Sequence, residues 1–142
     1  MQGPESCTAA KVRRLARRVS QIYDDALAPH GLTIGQIGLL ARLRRSQGIA
    51  ITQLADQLGA DASTISRLLR PLEQAGLLRM TTDAQDRRVR LVWLTDAGFE
   101  RRAAASAGWR AAQAKVQDIL GEGRLAALRF LLDDASALLE AA

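Results

Sequence analysis

The sequence predicts a mainly α-helical domain with one small β-hairpin, and three observations carry that reading. Apolar residues recur at steps of three or four through most of the 142 positions. Two short helical stretches, one opened by Thr52 and one opened by Asp61 and closed by Gly76, flank a tight turn at Gly59. Two strand-like runs, Leu77–Thr82 and Val89–Leu94, then enclose a polar loop at Asp83–Arg88. Strands interrupt the helices only once, which excludes an alternating α/β architecture. The order helix, turn, helix, hairpin between Ile51 and Thr95 is the layout of a winged helix-turn-helix.

Each element has its own local cause. From Lys11 to Leu27 the residues Val12, Leu15, Val19, Ile22 and Ala26 line one face of an amphipathic helix, which Pro29 and Gly31 end. Thr33 opens a second helix, with Gln36 completing a capping box, and Leu39, Leu40 and Leu43 carry it to a stop near Gly48. Thr52 is placed to cap a short third helix with Leu54, Ala55 and Leu58 inward and Gly59 as its C-terminal turn. Asp61 caps a fourth, whose inner face is Ile65, Leu68, Leu69 and Leu72. Pro71 removes one backbone donor inside it, so a bend or loosened turn is expected before Gly76 closes the helix.

After the hairpin, Thr95 caps a long alanine-rich helix from about Asp96 to Leu120, and Gly121 and Gly123 break it. In the last helix Leu125, Leu128, Leu132, Ala135 and Leu139 alternate by three and four, as in a helix–helix seam that Leu131 and Leu138 widen. Alone, the terminal helices would expose Leu128, Leu132 and Leu139.

Composition narrows the function. No apolar run approaches the ~18 residues of a membrane span, and the stretch MQGPESCTAAKVRR lacks the apolar core of a signal peptide. A single cysteine agrees with a reducing compartment, so a soluble cytoplasmic protein with no membrane partner is expected. One His, one Cys, no Gly-rich phosphate loop and no metal-spaced cluster argue against an enzyme, a metal site or a cofactor. The net charge of +5 suits an anionic partner. Its distribution is uneven: residues 1–48 hold eight basic and three acidic side chains, residues 49–95 six and five, and residues 96–142 six and seven. A DNA-reading role for the middle segment must therefore rest on where its arginines sit.

In a helix-turn-helix the second helix enters the major groove while the first braces it against the backbone. Ala55 and Gly59 supply the small crossing residue and the turn. Ser63, Thr64, Ser66, Arg67 and Arg70 form an exposed polar face. Ser63 and Thr64 can reach phosphates or base edges, Arg67 suits a bidentate contact with guanine, and Arg70 suits phosphate. The same pattern also fits an ordinary solvated helix with Asp61 and Ser63 as caps. In the hairpin, Arg87 and Arg88 sit at the tip and Arg90 on the return strand, where an arginine can enter a narrow minor groove. Asp86 can orient Arg88 through a charge-assisted pair. The simplest strand assignment turns Val92 and Leu94 inward and Arg90 the other way.

The string Asp86, Arg88, Val92, Leu94 and Thr95 resembles the wing signature of the MarR family of bacterial transcriptional regulators. Gly31–Thr33, Leu54–Gly59, Ala75–Leu78 and Leu94–Gly98 resemble further segments of that family, so the likeness covers almost the whole chain. It implies a single domain in which residues 33–95 form the winged lobe. Residues 1–32 and 96–142 would interlock two copies as a homodimer on a pseudopalindromic double-stranded DNA operator. It also implies base contacts from the Ser63–Arg70 face, a minor-groove contact from Arg88, and repression released by a small aromatic or phenolic ligand or by thiol oxidation.

The sensor candidates are Cys7, Arg14, Tyr23 and Trp109. Cations at Arg13 and Arg14 favour a reactive thiolate at Cys7, although an inert terminal thiol fits equally. One branch of the family carries a C-x-C pair here together with W-x-x-A-Q. This chain keeps Trp109–Gln113 but has Ala9 at the second cysteine, which weakens a two-thiol switch within one subunit. Tyr23 and Trp109 can line a ligand pocket or serve as core or interface aromatics. Arg13, Arg14, Arg17 and Arg18 form a basic band that is either a solvated face or a site for a carboxylate or phosphate. His30 alone cannot build a metal site and suits a cap or surface role. The competing readings are a constitutive DNA-architectural protein and a winged-helix protein-interaction adaptor.

Overall fold

Caps and apolar spacing set the helix boundaries in the computed structural model, which describes Gly3 and residues 6–142. The order is α1 (Thr8–Leu27), a short 3₁₀ turn (Ala28–His30), α2 (Ile34–Leu40), β1 (Ile49–Ala50), α3 (Ile51–Leu58) and α4 (Ala62–Gln74). It continues with β2 (Leu78–Thr82), β3 (Arg90–Leu94), α5 (Asp96–Leu120) and α6 (Glu122–Glu140). The chain forms two compact units, Leu27–Ala107 and Met1–Ala26 with Gly108–Ala142.

The Leu27–Ala107 unit is the winged lobe and holds a true core. Every large side chain of the described residues that is essentially sealed from solvent belongs to it: Leu27, Leu39, Leu40, Leu43, Leu54, Ile65, Leu69, Leu78 and Val92. The capping box at Thr33 forms as expected, the hydroxyl accepting from the Gln36 amide and the Gln36 side chain accepting from Thr33 N–H. The predicted stops Gly31, Gly59, Gly76 and Gly121 all take positive φ, where a Cβ would be strained. α4 runs on through Pro71, and its inner face is Ile65, Leu69 and Leu72, with Leu68 only half-buried.

Four local expectations are corrected. α2 ends at Leu40, because tight turns from Arg42 N–H to Leu39 and from Leu43 N–H to Leu40 tuck Leu43 into the core. The chain then forms a strand that the sequence did not announce: Ile49 and Ala50 pair antiparallel with Val92 and Leu91, giving a sheet in the order β1-β3-β2. This strand runs straight into α3, so Ala50 rather than Thr52 occupies the N-cap and no side chain caps it. In the other unit Gly121 alone breaks the chain, and Gly123 lies inside α6.

One contact ties the lobe together. Thr95 Oγ1 donates to Gly76 O at 2.6 Å and accepts from Gly98 N–H at 3.0 Å, while Thr95 N–H reaches Leu77 O at 3.3 Å. The end of the hairpin, the exit from α4 and the first turn of α5 therefore meet at one residue. Gly98 is required there, because a Cβ on it would lie 1.9 Å from Leu77 O. At the opposite face Arg102 donates to Leu40 O at 2.8 Å, satisfying a terminal carbonyl of α2.

The helical unit is thinly packed by comparison. Its buried residues are Tyr23, Ala112, Val116 and Leu125, whereas Val12, Leu15, Leu132 and Leu139 stay exposed. No helix is long and apolar enough to cross a membrane, among the described residues.

Two measurements test the lobe. Gly98→Ala pushes a methyl into a backbone carbonyl and is expected to destabilise the protein by about 2 kcal/mol or more in urea unfolding; a change within about 0.5 kcal/mol would contradict the packing. Asp61 accepts from Ser63 Oγ and from Thr64 N–H, both at 2.7 Å, and these bonds lower its pKa from 3.8 to about 2. The stability it contributes is complete above its unfolded-state pKa and is lost as pH falls through about 2. The melting temperature of Asp61→Ala is therefore expected to lie below wild type at neutral pH, and the two are expected to converge as pH drops towards 2.

Candidate nucleic-acid interface

The first turn of α4 is built by its cap. Asp61 binds Thr64 N–H and the Ser63 hydroxyl, which fixes the start of the helix and turns one of the predicted contact hydroxyls back towards the cap. Ser63, Ser66, Arg67 and Arg70 are exposed, and Thr64 is half-buried. Ile65, Leu69 and Leu72 hold the opposite face in the core. α4 thus offers a continuous polar face backed by a rigid apolar one.

The hairpin is closed by Asp83 N–H to Val89 O at 2.9 Å and Val89 N–H to Asp86 O at 3.0 Å. Asp86 braces Arg88 three ways: from the Arg88 backbone N–H at 3.1 Å, from Nε at 3.1 Å and from Nη2 at 3.2 Å. The Arg88 side chain and then its backbone N–H hold the Asp86 carboxyl below the usual carboxylate range. The fork is oriented while the Arg88 side chain stays 90% exposed. Arg87 is exposed beside it.

Arg90 departs from the expected placement. It occupies the same strand face as Val92 and Leu94, because strand side chains alternate with period two. It is exposed since the hairpin extends beyond the core, not because it points the other way. Arg90 and Arg70 instead converge on a groove of about 300 Å³ between α4 and the hairpin, floored by Ile51, Leu69 and Met80 and bordered by Ser66 and Glu73.

Arg79 was missed by the sequence reading. It pairs in register with Trp93, and its guanidinium stacks 4.5 Å from the Trp93 ring, whose Nε1–H donates to Thr81 Oγ1 at 2.8 Å. The signal exists only once the strand register is known. Arg79 places a further cation on the hairpin surface.

Of the sensor candidates, the structure brings Tyr23 and Trp109 together in the helical unit, their ring centroids 6.3 Å apart and tilted by 48°. The Tyr23 hydroxyl donates to Gln113 Oε1. Burial pushes the phenol pKa up, and the Arg129 charge partly offsets it. Tyr23 lines a largely apolar cavity of about 380 Å³ between α1, α5 and α6, walled by Leu15, Val19, Val116, Leu125 and Leu128, with Gln113 and Arg129 as polar groups. Trp109, Arg14 and Cys7 do not line it. Cys7 and Arg14 are exposed on or just before α1, and Trp109 is 41% exposed. Among the described residues no group of three or more His, Cys, Asp or Glu is placed to hold a metal ion.

Residues 32–89 match the MarR family. The chain is 31% identical to the HTH-type transcriptional regulator TtmR of Methylorubrum extorquens (strain PA1) over 68% of its own length, and it spans half the length of that relative. The HTH-type transcriptional repressor MdtR of Bacillus subtilis (strain 168) is 28% identical over 78% of this chain and 72% of its own. Among solved structures, the M. tuberculosis transcriptional regulator MosR in complex with DNA is 32% identical, with 94% of this chain and 98% of that one superposed at a TM-score of 0.78. These relatives are transcriptional regulators. With the fold, the lobe and the hairpin signature all in agreement, the chain belongs to the MarR family of transcriptional regulators.

Proposed function

We propose that this protein is a transcriptional repressor that binds a pseudopalindromic DNA operator as a homodimer and is released by a small ligand or by modification of a thiol. The observation that carries the reading is the pairing, within one lobe, of the exposed α4 face with the Asp86-braced Arg88 at the hairpin tip. α4 enters the major groove with Arg67 towards a base edge. Ser63, Thr64, Ser66 and Arg70 position it on phosphates and base edges, and Arg88 reaches the minor groove with Arg87 and Arg90 beside it. The resemblance to a DNA-bound regulator and to a repressor supports the same reading. Residues 33–95 do the reading, and residues 1–32 and 96–142 pair two copies so that the lobes meet half-sites about one helical turn apart.

An aromatic or phenolic effector has a candidate seat in the Tyr23 cavity, whose apolar walls suit a ring and whose Gln113 and Arg129 suit a polar substituent. The exposed Cys7 thiol is the alternative input. The residues lining the cavity favour the ligand over the thiol.

Fluorescence anisotropy on the gene's own upstream DNA tests the reading. Arg67→Ala is expected to cost about 1–3 kcal/mol of binding and to relax specificity at one position. Arg88→Ala is expected to weaken binding across sequences and to lower the salt slope by about one. Equal affinity for scrambled DNA would instead indicate an architectural protein, and no affinity an adaptor. Repeating the titration with phenolic acids and with peroxide, on wild type and Cys7→Ser, separates the inputs: release by a phenolic acid that survives Cys7→Ser assigns the ligand.

A further inference from the structure

The helical unit carries two opposite charge patches whose members do not pair. Lys11, Arg13, Arg14, Arg17 and Arg18 are exposed along the first half of α1, with no acidic residue between Thr8 and Tyr23. At the far end of the chain Asp133, Asp134 and Glu140 are exposed on α6, with no basic residue after Arg129. Among the described residues the ion pairs are Arg45–Asp96 and Arg88–Asp86, so neither patch is neutralised within the chain.

The acidic patch is set among apolar side chains that water cannot satisfy. Phe130 is 67% exposed, Leu131 59%, Leu138 66% and Leu139 76%. Uncovered apolar surface of this kind marks an interaction site. Val12 and Leu15 of α1 line the same cavity as Leu128 and Leu132 of α6, so the basic half of α1 and the stretch of α6 that leads into Asp133 and Asp134 flank one cavity. In a twofold interface residue i of one copy meets j of the other, and j meets i. A twofold axis beside that cavity would set each basic patch against the acidic patch of the partner, twice over.

We infer that, across the proposed homodimer, the Arg13–Arg18 band of each copy forms ion pairs with Asp133, Asp134 and Glu140 of the other. This rests on the homodimer reading and adds a consequence to it. Apolar burial holds the two copies, while the crossed charge contacts set their register and make assembly sensitive to ionic strength. Exposed charges are screened within about 10 Å at 0.1 M salt, so dimer affinity falls as salt rises even though the apolar contact is unaffected.

Two charge-reversed full-length variants test it by sedimentation equilibrium: Arg13→Asp/Arg17→Asp, and Asp133→Arg/Asp134→Arg. Each alone sets like charges against each other in both contacts, and its dimer dissociation constant is expected to rise by about tenfold or more at about 50 mM salt. Mixed in equal amounts, the two restore both contacts in the heterodimer, and affinity is expected to return to within about threefold of wild type. Repair by mixing cannot arise from pairing inside one chain. Wild type is expected to weaken about tenfold between about 50 and 500 mM salt. Far-UV circular dichroism verifies the fold of each variant, and the milder Asp133→Asn/Asp134→Asn is expected to shift the constant in the same direction by less. A dimer indifferent to salt and to both reversals, or a mixture that stays as weak as its components, overturns the ion pairing alone. A chain that is monomeric at every salt overturns the homodimer reading with it.

Discussion

The winged lobe depends on the junction at Thr95. A recognition helix and a wing can read two grooves together only if their relative placement is fixed. Thr95 fixes it: its hydroxyl and amide join the glycine that ends α4, the first residue leading into β2 and the first turn of α5. Gly98 lets α5 approach Leu77 O closely enough for those bonds to form. Leu77, Leu78, Val92 and Leu94, all buried, anchor the strand ends and the exit from α4 that the junction joins.

Because that frame is rigid, few charges are needed at its surface. The segment 49–95 carries six basic and five acidic side chains, so bulk attraction to DNA is weak. Two of the five acids do structural work on the α4 face and at the hairpin tip. Asp61 fixes the first turn of α4, and Asp86 holds the Arg88 fork in one orientation at the hairpin tip. Each lowers the net charge while reducing the conformational freedom an arginine or a helix end would otherwise lose on binding.

Much of this was legible in the sequence, wherever a feature has a local cause. The Thr33–Gln36 box, the Asp61 cap, the stops at Gly31, Gly59, Gly76 and Gly121 and the Asp86–Arg88 pair each have a local cause, and each forms as read. The features that escaped depend on partners distant in the chain. β1 is two residues long, has no alternation to detect, and exists because Val92 and Leu91 lie opposite it. That strand displaced the Thr52 cap, while α2 ended early in the tight turns at Arg42 and Leu43. Arg90 was assigned to the wrong face because a charged residue was turned away from Val92 and Leu94, whereas it shares their face where the hairpin outruns the core. Gly98 was visible as part of a family string, but its reason, a carbonyl 21 residues earlier in the chain, was not.

The two units divide the physical work unequally. The lobe seals nine large side chains, whereas the helical unit, among the described residues, buries only Tyr23, Ala112, Val116 and Leu125. Helices this long, with Phe130, Leu138 and Leu139 in water, have little to hold them by packing within one chain. A second copy would therefore complete the helical core as well as pair the lobes, and in that arrangement folding of the helical unit and assembly are one equilibrium. The Tyr23 cavity lies within this same unit. A ligand bound there would act on the part of the protein with the smallest packing reserve, where a small differential binding energy moves a large fraction of the population.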